Sequence, residues 1–138
     1  MNLPVVRVTC AVIIRDGKVF AARRGPHSKQ PLKWEFPGGK VEPGETDTQC
    51  LHRELDEELA IRVRIERPLP VHTHHYPEFT IELVPFLCMF EGPVPAGKQG
   101  EDRPDHLETA WLSPDELPGM DWTAADVPVA AYVLKHVL

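Results

Sequence analysis

The stretch GGKVEPGETDTQCLHRELDEELAI, from Gly38 to Ile61, changes character at its middle, from a glycine-rich loop to a helix studded with carboxylates. Pro37 and the glycines leave no room for a regular element before residue 45. Thr46 with Gln49 three residues on forms a capping box, so the pattern predicts a helix starting near Thr46 and running to the β-branched segment Ile61 to Ile65. Leu51, Leu55 and Leu59 recur every four residues as a buried stripe, and Glu54, Glu57 and Glu58 sit at i, i+3 and i+4 on a neighbouring face. Carboxylates that close repel by a few tenths of a kcal/mol per pair on a solvated helix, and a divalent cation relieves the repulsion. Hard oxygen donors suit Mg²⁺ or Mn²⁺, bound together with the oxygens of a substrate phosphate. Gly38 and Gly39 let the backbone approach closely, freeing a carbonyl for a metal or an N–H for a phosphate. A solvated acidic face is the competing reading of Glu-x-x-Glu-Glu on a helix.

Gly39, five residues, Glu45, seven residues, and then Arg53-Glu54-Leu55-Asp56-Glu57-Glu58 reproduce the spacing of the Nudix box. The chain resembles the Nudix hydrolases, and among them the MutT-like nucleoside triphosphate pyrophosphohydrolases. One position departs from the pattern: Ala60 stands where the family has glycine, at a helix end that favours a left-handed residue, a conformation that costs alanine roughly 1 kcal/mol. The likeness runs beyond the box. The hairpin from Val5 to Ala22 with its Asp16-Gly17 turn, the loop Trp34 to Lys40, the pair Asp105-His106, and the Ala124-Ala125-Asp126 step before the last helix are all similar to members of this group.

The resemblance implies an α+β Nudix fold, a mixed β-sheet between helices (an α/β/α sandwich), as one domain over residues 1–138. It implies Mg²⁺-dependent hydrolysis of a nucleoside triphosphate to the monophosphate and pyrophosphate. In that reading Gly38 (through its carbonyl), Glu54, Glu57 and Glu58 hold the metal, with Mn²⁺ as an alternative ion. Glu54 is the leading general base and Asp105 the second. Arg53 orients a glutamate by ion pairing, and Glu45 supports it. Arg23, Gly39 and Lys40 serve the phosphates, and Asp126 meets the base. An ionised Asp126 only accepts hydrogen bonds, which suits the amine of cytosine or the N1–H and N2 amine of guanine and its 8-oxo form, and suits uracil or thymine less. The implied substrate is 8-oxo-dGTP, with CTP or a modified dCTP as the close alternative. A Nudix enzyme for ADP-ribose or a dinucleoside polyphosphate, or a non-hydrolytic nucleotide sensor on the same fold, also stays open.

At 138 residues the chain is long enough to bury about two-thirds of its unfolded surface. A net charge of −6 and the lack of a basic run argue against a nucleic-acid polymer as partner. Cys10, Cys50 and Cys88 are too far apart for a zinc finger or a disulfide framework and read as core thiols in a reducing compartment. With neither a signal peptide nor a membrane span in evidence, the expected location is the cytoplasm, as a monomer or homodimer.

Elsewhere Gly25 to Leu32 reads as a polar loop lining a pocket. Ile61 to Ile65, Val71 to Tyr76, Phe79 to Phe90 and Leu107 to Leu112 read as strands, with Pro68 and Pro70 marking an edge or bend. Glu91 to Pro104 reads as loop, and Pro128 to Leu138 as a helix burying Val129, Val133 and Val137. His72 and His74 share one face of their strand and His75 takes the other, so the three do not suit one zinc ion. Trp122, close to Asp126, is a core residue that could border the base.

Overall fold

The computed structural model describes residues 3–92 and 106–138, with side chains from residue 108 onward in the second stretch. β1 (Val5–Arg15) and β2 (Lys18–Arg24) form a hairpin about Asp16 and Gly17, whose φ angles are 51° and 75°. Two left-handed residues in the turn match the right-handed twist of the strands on either side. β3 (Trp34–Glu35) pairs antiparallel with β2, and β4 (Gly38–Lys40) with β1. Regular structure therefore reaches into the segment before residue 45, where the sequence predicts none. The reason is close approach: a Cβ on Gly38 would stand 2.0 Å from the Thr9 carbonyl oxygen, so a side chain there would push β4 off β1.

α1 (Asp47–Leu59) starts at Thr46 with the capping box complete. The Gln49 N–H donates to Thr46 Oγ1 at 3.2 Å, and the Thr46 N–H to Gln49 Oε1 at 2.9 Å. It ends at Ala60, which holds the left-handed conformation (φ 53°, ψ 41°) that the family's glycine would adopt without strain. β5 (Arg62–Pro68), β6 (His72–His75), β7 (Thr80–Glu91), β8 (His106–Leu112) and α2 (Val127–His136) follow. Beyond Gly92 the loop expected up to residue 104 lies outside the described residues, as does Asp105.

The sheet runs β3-β2-β1-β7-β5, with β4 also on β1, β6 on β7 and β8 on β2. Only β1 and β7 are parallel among these pairs, so the sheet is mixed. Pro68 closes β5 at the end of this order, where a residue without an N–H costs no ladder bond. Strand alternation divides the core between two faces. Ala11, Ile13 and Phe20 pack with Leu51, Leu55 and Leu59 of α1, while Cys10, Val12, Val19 and Ala21 pack with Val129, Ala130 and Val133 of α2. The sheet between two helices is the α/β/α sandwich expected. Val137 belongs to the cap of α2 and is half-buried against the second cluster. All three cysteines are buried free thiols, and no helix among the described residues is long and apolar enough to cross a membrane.

Candidate active site

Arg53, on the second turn of α1, gathers the acidic residues of the box. Its Nε and Nη2 donate to the two Glu45 carboxylate oxygens at 2.7 and 3.0 Å, and its Nη1 reaches Glu54 at 2.9 Å and Glu57 at 3.2 Å. A further bond from Nη2 to the Lys40 carbonyl, 3.1 Å, ties the helix to the end of β4. Planar, two-pronged pairing of this kind fixes orientation as well as charge. The Arg53 hydrogen bonds, followed by the Glu42 N–H, hold the Glu45 carboxyl down at about 2, and the same contacts raise Arg53 above its ordinary value.

Glu54 and Glu58 face a cleft of about 410 Å³, which Gly38, Gly39 and Lys40 also line. A Cβ on Gly39 would fall 2.2 Å from the Glu54 carboxyl carbon, so the bare glycine is what gives that carboxylate its place. Glu57 is not part of this lining; its side chain is 60% exposed on the solvent side of Arg53. Among the described residues no three histidine, cysteine or acidic side chains converge as a ready-made cation cage. The donors at hand are hard oxygens, two carboxylates beside a glycine backbone, and that set fits Mg²⁺ bound jointly with substrate phosphate rather than enclosed by protein alone.

The other end of the cleft is built by a parallel bridge between Trp34 and Trp122, which sets the Ala124–Asp126 turn beside β3. The Trp34 N–H donates to the Asp121 carbonyl and the Thr123 N–H to the Trp34 carbonyl, at 2.8 and 2.9 Å. Trp122 itself is buried, stacked on Phe36 with ring centres 4.8 Å apart, and Phe36 rather than Trp122 lines the cleft. Asp126 is 5% exposed, next to Glu35, which pairs with Arg24 at 2.7 Å. Burial first, and then the negative charge of Glu35, push the Asp126 carboxyl up to about 8, against hydrogen bonds from Thr123 and the Phe36 backbone. The shift favours the protonated form. Ionised, as the sequence alone suggests, Asp126 is a pure acceptor; protonated, it offers a donor as well.

Of the phosphate-binding candidates, Gly39 and Lys40 line the cleft and Arg23 does not. Its guanidinium pairs with Glu108 at 3.1 Å and donates to the Leu32 carbonyl. A register shift between Arg23 and Arg24 in the pairing of β2 with β8 breaks the two-residue alternation, and Arg24 is the arginine in the lining. Lys29 and Gln30, from the loop expected to line a pocket, do line it. From the sequence Arg24 stands with Arg23 and Lys40 as a cation available near the site, whereas Glu35, Tyr76 and Phe79 went unremarked as site residues. Glu35 had a signal, being a charge set between Trp34 and Phe36; Tyr76 and Phe79 had none without the β6–β7 turn.

A NUDIX domain model matches residues 4–135. The CTP pyrophosphohydrolase of Escherichia coli K12 is 34% identical over 128 residues, covering 92% of this chain and 90% of that protein. The 8-oxo-dGTP diphosphatase of Proteus vulgaris is 39% identical over 93 residues, covering 67% of this chain and 83% of that protein. The solution structure of the E. coli ORF135 protein has a TM-score of 0.76 at 34% identity, covering 94% of this chain and 88% of that one. The chain belongs to the NUDIX family and is a Nudix hydrolase.

Proposed function

We propose that the chain hydrolyses a nucleoside triphosphate to the monophosphate and pyrophosphate, with 8-oxo-dGTP as its substrate. The observation that carries this reading is a single cleft with box carboxylates at one end and the Glu35–Asp126 pair at the other. Triphosphate suits the first end and base the second. Mg²⁺ would be held by the Gly38 carbonyl, Glu54 and Glu58, with Glu57 contributing from the solvent side, and when bound it supplies neutralisation of charge on phosphate oxygens and acidification of a water. Glu54, oriented by Arg53, accepts the proton of the attacking water. Lys40 and the Gly39 backbone lie along the triphosphate.

One proton distinguishes the two acids at the base end of the cleft. Glu35, in its ion pair with Arg24, offers acceptor oxygens only and suits the N1–H and N2 amine of a guanine edge. Neutral Asp126 suits an edge that alternates donor and acceptor, and 8-oxoguanine has one in N7–H and O6, whereas the N7 of ordinary guanine carries no hydrogen. A second reading, CTP, is favoured by the relative covering 92% of the chain, whose name is CTP pyrophosphohydrolase; the N3 and N4 amine of cytosine also present acceptor and donor side by side. Pyrophosphate release measured across ordinary and oxidised nucleoside triphosphates, with Mg²⁺ and with excess chelator, tests the proposal. The highest kcat/KM should belong to 8-oxo-dGTP, with CTP next, and chelator should abolish turnover. A preference for UTP or dTTP, or undiminished turnover in chelator, would overturn it.

A further inference from the structure

The cleft has a wall that the box chemistry does not use. Tyr76 and Phe79, on either side of the β6–β7 turn, stack with ring centres 5.1 Å apart and planes 28° from parallel, and His74 meets the Tyr76 ring edge-on at 4.5 Å. Both Tyr76 and Phe79 line the cleft, and β6 packs against the Ala124–Asp126 turn, which puts this wall at the Asp126 end. Facing it is the 25–32 loop, held by backbone bonds to Arg24 and Lys33 and by side-chain contacts. The Arg24 Nε donates to the Lys29 carbonyl at 2.6 Å, the Arg23 Nε to the Leu32 carbonyl at 3.1 Å, and the Gln30 side-chain amide to the Tyr76 hydroxyl at 3.2 Å. The third crosses from one wall of the cleft to the other.

Gln30 and Leu32, on either side of Pro31, have φ angles of 54° and 64°, left-handed values that side chains adopt only where the surroundings hold them. Those surroundings include the Tyr76 contact. Arg24, which fixes the loop at Lys29, also pairs with Glu35 beside Asp126, so loop position and carboxylate position share one guanidinium.

We infer that the Gln30 amide and the Tyr76 hydroxyl form a latch joining the 25–32 loop to the β6–β7 turn across the base end of the cleft, and that Tyr76 is a positioning residue for the substrate's base. The ring gives a flat apolar face to a base, a contact that tolerates any base because each has a π-face. The latch sets the ring's height over the carboxyl pair. This rests on the nucleoside triphosphate reading above, and deepens it.

Two variants remove the bond while sparing the ring and the fold: Tyr76→Phe and Gln30→Ala. Each should raise KM for the best nucleoside triphosphate by about three- to tenfold, the range of one uncharged hydrogen bond, with kcat held. The double variant should be no worse than either single, since both remove the same contact. Hydrogen exchange without substrate gives an independent readout: amides of the 25–32 loop should exchange faster in both variants, with Tm unchanged. Effects that multiply in the double variant, or unaltered exchange in the loop, would overturn the latch. If wild-type protein cleaved no nucleoside triphosphate, the functional reading would fall, while the exchange experiment would still decide the latch.

Discussion

Gly39 and Glu54 occupy what is in effect one site: the position a Cβ would take on the glycine lies 2.2 Å from the carboxyl carbon of the glutamate. The neighbouring Gly38 presses instead on backbone, 2.0 Å from the Thr9 carbonyl oxygen. The two glycines should therefore fail differently. Gly39→Ala displaces a movable side chain and should leave Tm nearly unchanged while lowering kcat. Gly38→Ala forces β4 from β1 and should destabilise by at least about 1–3 kcal/mol, the range for overpacking. Thermal unfolding and steady-state kinetics on the two variants check this; equal loss of Tm in both would show that the Glu54 carboxylate is not what Gly39 accommodates.

Glu54→Gln should keep the fold and lower kcat by at least about 10²-fold, the low end of what a lost general base costs. Glu57→Gln should lose much less, because Glu57 stands outside the cleft lining, and its main effect should be a higher Mg²⁺ concentration for half-activation. Near-wild-type rates for Glu54→Gln would leave the helix face as mere solvated charge.

Stability should fall with rising pH through the range set by Asp126. The folded carboxyl keeps its proton up to about 8 and the unfolded one releases it near 3.8, so between these values the folded state binds more protons. The stabilisation is whole below the lower value and has drained away above the upper. Asp126→Asn stays neutral throughout, so its Tm should gain on wild type from about pH 5 to about pH 8 and then run level. A constant difference across that interval would mean that Asp126 is already ionised in the folded protein at neutral pH. KM for the best substrate should also rise as wild type passes about pH 8, where the donor is lost.

Ala60→Gly should raise stability by up to about 1 kcal/mol, because Ala60 already sits at φ 53°. Denaturant midpoints measure this directly. Catalysis should hardly change, the residue lying past the carboxylates; a large gain in kcat would show that alanine distorts the box.

Much of this was legible along the chain because it depends on neighbours in sequence. The capping box at Thr46 and Gln49, the Asp16-Gly17 turn, the leucine stripe of α1 and the left-handed demand at Ala60 are all local, fixed by backbone geometry within a few residues. Glu45 and Arg53 lie eight residues apart, a spacing readable as a motif before any fold is known.

What the tertiary structure alone decided depends on segments distant in sequence. β4 forms only because β1 passes over Gly38, and Arg24 rather than Arg23 reaches the cleft because pairing with β8 shifts register between them. The protonation of Asp126 is the clearest case. Its residue type gives a carboxyl that ionises near 3.8 in water; burial and the approach of Glu35, distant in sequence, move that to about 8. Sequence supplies the titratable group, and the dielectric and charges that fold around it choose its state.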